Sequence, residues 1–157
     1  MIKGADSTIS ILFLGNSISM HSVIPDMLPC DTIRGMMASS SDKDYIHRLA
    51  KQIAKKHRIN VKFSVVNIAD FERQFPYHSF AKGKLSMAKV RHPDILIVQI
   101  GENVNEDDIK DPHKFEEMYI CLLSLFPNSK RIITLPFWQS KQKQYAITNV
   151  AIRSNSY

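Results

Sequence analysis

The sequence predicts an α/β domain built on a doubly wound parallel sheet. Two observations point to it. Short runs rich in aliphatic and β-branched residues alternate four times with segments of helical apolar spacing, and two of those runs stop on a glycine, Gly15 and Gly101. Alternation of this kind implies parallel strands covered by helices on both faces. Ligands then bind beyond the carboxyl ends of the strands.

Residues 10–14 (Ser-Ile-Leu-Phe-Leu) read as a buried parallel strand followed by a tight turn. Residues 42–57 carry helical spacing through Tyr45, Ile46, Leu49, Ile53 and Ala54, with Asp42 or Ser41 as the cap. Residues 61–68 are rich in β-branched side chains and predict the second strand. A helix over 80–90 follows, then the strongest strand, 94–100 (Asp-Ile-Leu-Ile-Val-Gln-Ile), which ends at Gly101. Residues 112–126 predict a helix with Pro112 in its first turn. Residues 131–135 give a fourth strand closed by Pro136, and 139–152 a last helix. The expected strand order is 2-1-3-4. Residues 25–41 form the one long irregular stretch, suited to a loop or short helices over the sheet edge.

The 157 residues, 44% of them hydrophobic and 23% charged, suit a single domain, 1–157, with a real core. The net charge of +6 and a pI near 9.4 permit contact with anionic surfaces, but the basic residues are dispersed. The densest stretches, 51–58 and 82–91, read as solvated helix faces, and no nucleic-acid-binding module pattern accompanies them. No nucleic-acid partner is expected. No apolar run approaches the roughly 20 residues of a membrane span, so no membrane partner is expected either. Met1-Ile2-Lys3-Gly4 runs straight toward the first strand, with no signal peptide pattern, and the compartment stays open. Cys30 and Cys121 fit no zinc or redox spacing. Cys121, inside Ile120-Cys121-Leu122-Leu123, is expected as a buried thiol.

Two turns carry the candidate chemistry. Gly15-Asn16-Ser17 follows the first strand, where a glycine permits a sharp turn and a serine at a helix N-terminus would lie beside outward-pointing N–H groups. Such a serine suits nucleophilic attack that generates an oxyanion; on this turn alone, a plain N-cap serine is the preferred reading. Gly101-Glu102-Asn103 follows the third strand, and the Asn103 amide can donate into the same crevice or to its own loop. Glu102 is read either as a pocket residue that orients a substrate hydroxyl or as solvated. Trp138, at the end of the fourth strand, is read as a pocket wall or, with slight preference, as core. His21, four residues past Ser17, would share a face with it on a helix and reach the pocket rim. Glu106-Asp107-Asp108 reads as a solvated helix start and not as a metal site. Neither a metal nor a cofactor is expected.

Taken together, Leu12-Phe13-Leu14-Gly15-Asn16-Ser17-Ile18-Ser19 resembles the first block of the SGNH (GDSL-type) ester hydrolases, with Asn16 where many members have aspartate. Ile97-Val98-Gln99-Ile100-Gly101-Glu102-Asn103 resembles the third block, with Val104 in place of the usual aspartate. Gly35-Met36-Met37-Ala38-Ser39-Ser40 with Lys43-Asp44-Tyr45, Asn67-Ile68-Ala69-Asp70-Phe71-Glu72-Arg73 and Pro136-Phe137-Trp138 resemble a bacterial branch of the same family. The resemblance implies a three-layer, flavodoxin-like fold, with Ser17 as nucleophile. It implies an oxyanion hole of the Ser17 N–H, an N–H at Ala69 or Asp70, and the Asn103 amide, with Asn16, His21, Glu102 and Trp138 around a small ester substrate, such as an acetylated carbohydrate. The family's catalytic histidine comes from a late Asp-x-x-His segment after a fifth strand. No such segment follows Trp138 here, and all six histidines precede it. The chain therefore resembles a truncated member, expected to be impaired as a hydrolase because serine without a base is a poor nucleophile. The alternative is a non-catalytic binding or structural domain of the same fold. Without a fifth strand, the fourth is expected to present an open edge through which two copies of the chain could pair.

Overall fold

The computed structural model describes residues 7–21, 34–36, 38–75 and 92–157. The helix expected over 80–90, most of the irregular stretch 25–41, and Cys30 and His78 lie outside the described residues.

Four parallel strands form one sheet: β1 (Thr8–Gly15), β2 (Asn60–Asn67), β3 (Ile95–Val98) and β4 (Lys130–Ile133), in the spatial order β2-β1-β3-β4. This is the order expected from the sequence. The register pairs Gly15 with Asn67, and Leu14 with both Val66 and Val98, so the carboxyl ends of β1, β2 and β3 lie side by side. Strand β3 is shorter than its apolar run. Gln99 leaves the ladder after its N–H bonds the Leu14 carbonyl, and Gln99 and Ile100 stay buried beyond the last pair.

Alternation along β1 splits the core into two layers. Leu12 and Leu14 face one side with Leu96, Val98 and Ile100; Ile11 and Phe13 face the other with Ile97. Helix α1 (Tyr45–His57) covers the second side through Tyr45, Ile46, Leu49 and Ile53. The first side is covered by the short helix α2 (Ala69–Arg73), by α3 (Pro112–Ser124) and by α4 (Lys141–Arg153). The three layers of a doubly wound fold result.

Caps fix the helix starts. Asp44, and not Asp42 or Ser41, caps α1: its carboxylate accepts the His47 N–H at 2.8 Å, while residues 41–43 form a 3₁₀ turn before it. Asp111 caps α3 with Pro112 in the first turn, as expected. On α3, Phe115, Met118, Tyr119, Leu122 and Leu123 take the core side. Cys121 falls on the opposite face, so the expected buried thiol is exposed. The apolar neighbours of Cys121 point inward at their own helical positions and do not bring it with them.

The expectation of a bare fourth edge is also corrected. The Ile133 N–H donates to the Tyr157 carbonyl at 2.8 Å, and the Tyr157 N–H to the Arg131 carbonyl at 3.0 Å. This is the two-bond pattern of a parallel pair centred on Ile132. The chain's own last residue thus pairs with β4, after α4 has folded back against α3 with Ala146, Ile147 and Val150 in the core. A buried carboxylate ties the two helices together: Glu116 of α3 accepts from Asn149 at 2.9 Å and Arg153 at 2.7 Å.

Candidate active site

Gly15 ends β1 where any side chain would collide with the Ser19 hydroxyl. The chain then makes a single turn instead of the expected helix. The Ser19 and Met20 N–H groups bond the Asn16 carbonyl at 3.1 and 3.0 Å, and His21 leaves as an isolated antiparallel bridge to Arg34. The helical pairing of Ser17 with His21 therefore does not form. Ser17 sits half-buried in the turn, its carbonyl accepting the Met36 N–H at 2.9 Å. Its hydroxyl has no hydrogen-bond partner among the described residues, histidines included.

Asn16 is fully buried. It accepts the Ile18 N–H at 3.1 Å, which holds the turn, and its amide donates to Glu102 at 2.6 Å and toward Glu72 at 3.4 Å. A carboxylate at Asn16 would offer these two acceptors no proton, so asparagine suits the position for a physical reason. Buried Ser19 anchors the far side of the turn, bonding the Tyr45 hydroxyl at 2.7 Å and Gln99 at 3.1 Å. Burial pushes the Tyr45 phenol up, with the Ser19 bond opposing that shift.

At the end of β2, the Asn67 amide donates to the Met20 carbonyl at 2.7 Å, and its oxygen accepts the Ala69 N–H at 2.9 Å. The Ala69 N–H carried over from the family's oxyanion hole is thus engaged by the side chain two residues before it. The segment forms helix α2, and Ile68, Phe71, Glu72 and Phe75, in and beside it, are buried.

After β3, Gly101 adopts φ +131°, a conformation that L side chains rarely take. This bend brings the loop back over Glu72. The Glu72 carboxylate, 1% exposed, accepts the Gly101 N–H, the Asn103 N–H at 3.3 Å and the Asn103 amide at 2.7 Å. Three strand-end segments thus meet on one buried acid, to which the motif reading assigns no role. The signal is present in the sequence: Ile68, Phe71, Glu72 and Phe75 are spaced i, i+3, i+4, i+7, the stripe of a helix facing the core. A carboxylate inside such a stripe needs partners. Burial pushes the Glu72 carboxyl up from its ordinary value, with the bonds from Gly101 and Asn103 opposing and Glu102 adding to the rise. Tyr119 of α3, fully buried and without a partner for its hydroxyl among the described residues, is pushed well up by burial and then by Glu72 and Glu102.

Glu102 does not simply face water: it is half-buried among donors. It accepts from Asn16, from Gln99 at 2.7 Å and from the Phe137 N–H at 2.8 Å. This last bond draws the end of β4 to the site. Trp138, expected with slight preference as core, is 57% exposed and stacks edge-on with exposed Phe137 at 4.5 Å. The pair forms an aromatic surface next to the Glu102 loop. Val104, where the family has aspartate, is buried in the core. Asp107 pairs with Lys110 at 3.0 Å as two solvated charges, whereas exposed Glu106 pairs at 3.1 Å with Lys143, which is buried. Among the described residues no group of three His, Cys, Asp or Glu could hold a metal, and no helix is long and apolar enough to cross a membrane.

Comparison with family models gives no match, and comparison with curated proteins gives none. Solved structures do match. A GDSL-like lipase candidate from Parabacteroides merdae superposes with a TM-score of 0.57 at 14% identity, over 94% of this chain and 75% of its own. A family two carbohydrate esterase from Cellvibrio japonicus gives 0.51 at 16% identity, over 94% of this chain and 48% of its own. At such identities the likeness establishes architecture. The chain shares the three-layer α/β fold of these two structures, the fold that the resemblance of the blocks at Ser17 and Asn103 leads one to expect.

Proposed function

We propose that the chain is an SGNH-type serine hydrolase unit for small acyl esters, acetyl groups on carbohydrate among them, with Ser17 as nucleophile and Asn103 as oxyanion donor. One observation carries the reading. The three blocks that define the family's site converge on one buried acid, Glu72, which takes the amides of Asn16 and Asn103 and the Gly101 N–H. Folds alone do not specify chemistry, and the convergence of strand-end loops supports a site more strongly than architecture does. The exposed pair Phe137 and Trp138 beside Glu102 suits the flat face of a sugar ring or an acyl chain. A small ester is the one partner class proposed; neither nucleic acid nor membrane enters.

As these 157 residues, the unit is proposed to turn over weakly, because the Ser17 hydroxyl has no base bonded to it among the described residues. A second reading, a non-catalytic ester- or carbohydrate-binding domain, is favoured by one specific observation. The Ala69 N–H already has an acceptor within the protein. Hydrolysis of p-nitrophenyl acetate by the chain and by Ser17→Ala separates the two. A slow rate that disappears in Ser17→Ala supports the hydrolase. Equal rates, with an acetylated sugar bound by both proteins, support the binding domain.

A further inference from the structure

Glu72 is the most thoroughly engaged side chain at the carboxyl end of the sheet, and no step of an acyl transfer to Ser17 uses it. Its two oxygens divide their work. Oε1 takes the backbone N–H groups of Gly101 and Asn103 and faces the Asn16 amide; Oε2 takes only the Asn103 side-chain nitrogen, at 2.7 Å. An amide nitrogen carries two hydrogens in the plane of the group. A carboxylate that holds one of them fixes which end of the amide is nitrogen, fixes the plane, and leaves the second hydrogen to another acceptor. The bond to an ionised acceptor is also shorter and stronger than one between neutral groups. Burial at 1% exposure keeps water from competing for it.

We propose that Glu72 is the positioning residue of the oxyanion donor: its buried carboxylate locks the Asn103 amide so that the free N–H is presented to the oxygen that becomes anionic when Ser17 is acylated. The inference rests on the reading of Ser17 and Asn103 as nucleophile and donor. Glutamine at position 72 keeps the volume and one carbonyl for the two backbone N–H groups. It places an NH₂ opposite the Asn103 NH₂, however, and the Asn103 amide must turn over to meet it. The donor is then lost from its place while the loop keeps its backbone bonds.

The test uses a fluorophosphonate ester on the 157-residue chain, followed over hours by intact mass. The Ser17 Oγ–P bond forms, the P–F bond breaks, and fluoride leaves while the hydroxyl proton passes to solvent. Asn103→Ala should slow labelling by about a hundredfold, the usual effect of removing one oxyanion donor. Glu72→Gln should slow it at least roughly tenfold, and the double variant should label no more slowly than Asn103→Ala alone, because Glu72 acts only through Asn103. Effects that multiply in the double variant, or a Glu72→Gln protein that labels like the parent, overturn the proposal. A second measurement needs no variant. Through-hydrogen-bond NMR correlations should link the Glu72 carboxylate carbon to the Gly101 nitrogen and the Asn103 side-chain nitrogen, and their absence also overturns it. If the parent labels no faster than Ser17→Ala, the nucleophile reading fails and the oxyanion role of Glu72 fails with it. The NMR correlations then report separately whether the lock itself exists.

Discussion

The Glu72 carboxylate holds the Asn103 side-chain amide at 2.7 Å, although the two residues belong to segments 31 positions apart. One comes from the helix after β2 and the other from the bend after β3, and β1 runs between those strands. The bond therefore reaches across the end of β1, whose following residue Asn16 directs its amide toward the same carboxylate. The Asn16 amide reaches the same carboxylate only at 3.4 Å, so the Asn103 bond is the closer of the two side-chain bonds to it.

Stability should depend on pH through that group. The folded Glu72 carboxyl is raised above its ordinary 4.5, with burial as the largest cause. A raised folded value contributes stability that is fully present below the unfolded pKa and is lost as pH rises through the folded one. The groups facing Glu72 are Glu102 from the β3 loop, Tyr119 from α3 and the neutral Asn16 and Asn103 amides, with the Asp70–Arg73 pair on its own helix. Urea unfolding of the parent and Glu72→Gln between about pH 4 and pH 8 should show the parent losing ground to the variant as pH rises. A difference that is flat across that range would falsify the assignment.

Gly101→Ala should destabilise the chain by about 1–3 kcal/mol, since a Cβ at positive φ strains the backbone. Space adds to the cost: the new carbon would sit 3.1 Å from Pro136 Cγ and 3.3 Å from Ile147 Cδ1. Because the bend carries Asn103 to Glu72, the same substitution should weaken the Asn103 amide signal of that bond in NMR. A Gly101→Ala protein as stable as the parent would mean that the loop has another low-energy path.

Much of this is legible in the sequence, and the omissions have physical causes. The helices over Tyr45–His57 and Pro112–Ser124 and the glycine bends follow from period, caps and turn chemistry, which are local, and the strand order follows from the alternation of strands with helices around them. Glu72 escapes because α2 is only five residues long, and so short a stripe reads as loop. His21 is misplaced by helical spacing after Ser17, where the chain instead turns once and bridges Arg34. Apolar neighbours draw Trp138 and Cys121 toward the core on paper, yet exposure is set by which face the tertiary structure presents. The pairing of Tyr157 with β4 is a contact between residues distant in sequence, and no local pattern announces it.

The bond between α3 and α4 should be asymmetric in its two partners. Glu116 is buried and Arg153 is half exposed. Arg153→Leu leaves a buried carboxylate with Asn149 as its close donor, and should cost about 1–3 kcal/mol. Glu116→Met removes the charge that burial penalises and leaves Arg153 to water, so it should cost less. Chemical denaturation of the two single variants decides the order, and the reverse ranking would show that packing around Glu116 outweighs its charge.

Removing Tyr157 should make the chain associate. The residue supplies both hydrogen bonds at the outer edge of β4, to Arg131 and Ile133, and without it those groups face solvent beside partly exposed Ile132 and exposed Leu135. Unpaired strand edges with apolar side chains recruit strands from other molecules. Lys130 and Arg131 place charge only at the start of the strand. The pairing of two copies through this edge, expected from the sequence, is therefore proposed for the chain that lacks its last residue. Tyr157→Ala is the control, since it deletes the ring and keeps the backbone N–H and C=O that make the ladder. Size-exclusion chromatography with light scattering at several concentrations should give a higher mass for the shortened chain than for the parent, and a mass for Tyr157→Ala that matches the parent. Equal masses for all three at every concentration would show that the two backbone bonds do not protect the edge. Association of Tyr157→Ala to the same degree as the shortened chain would instead assign the protection to the ring.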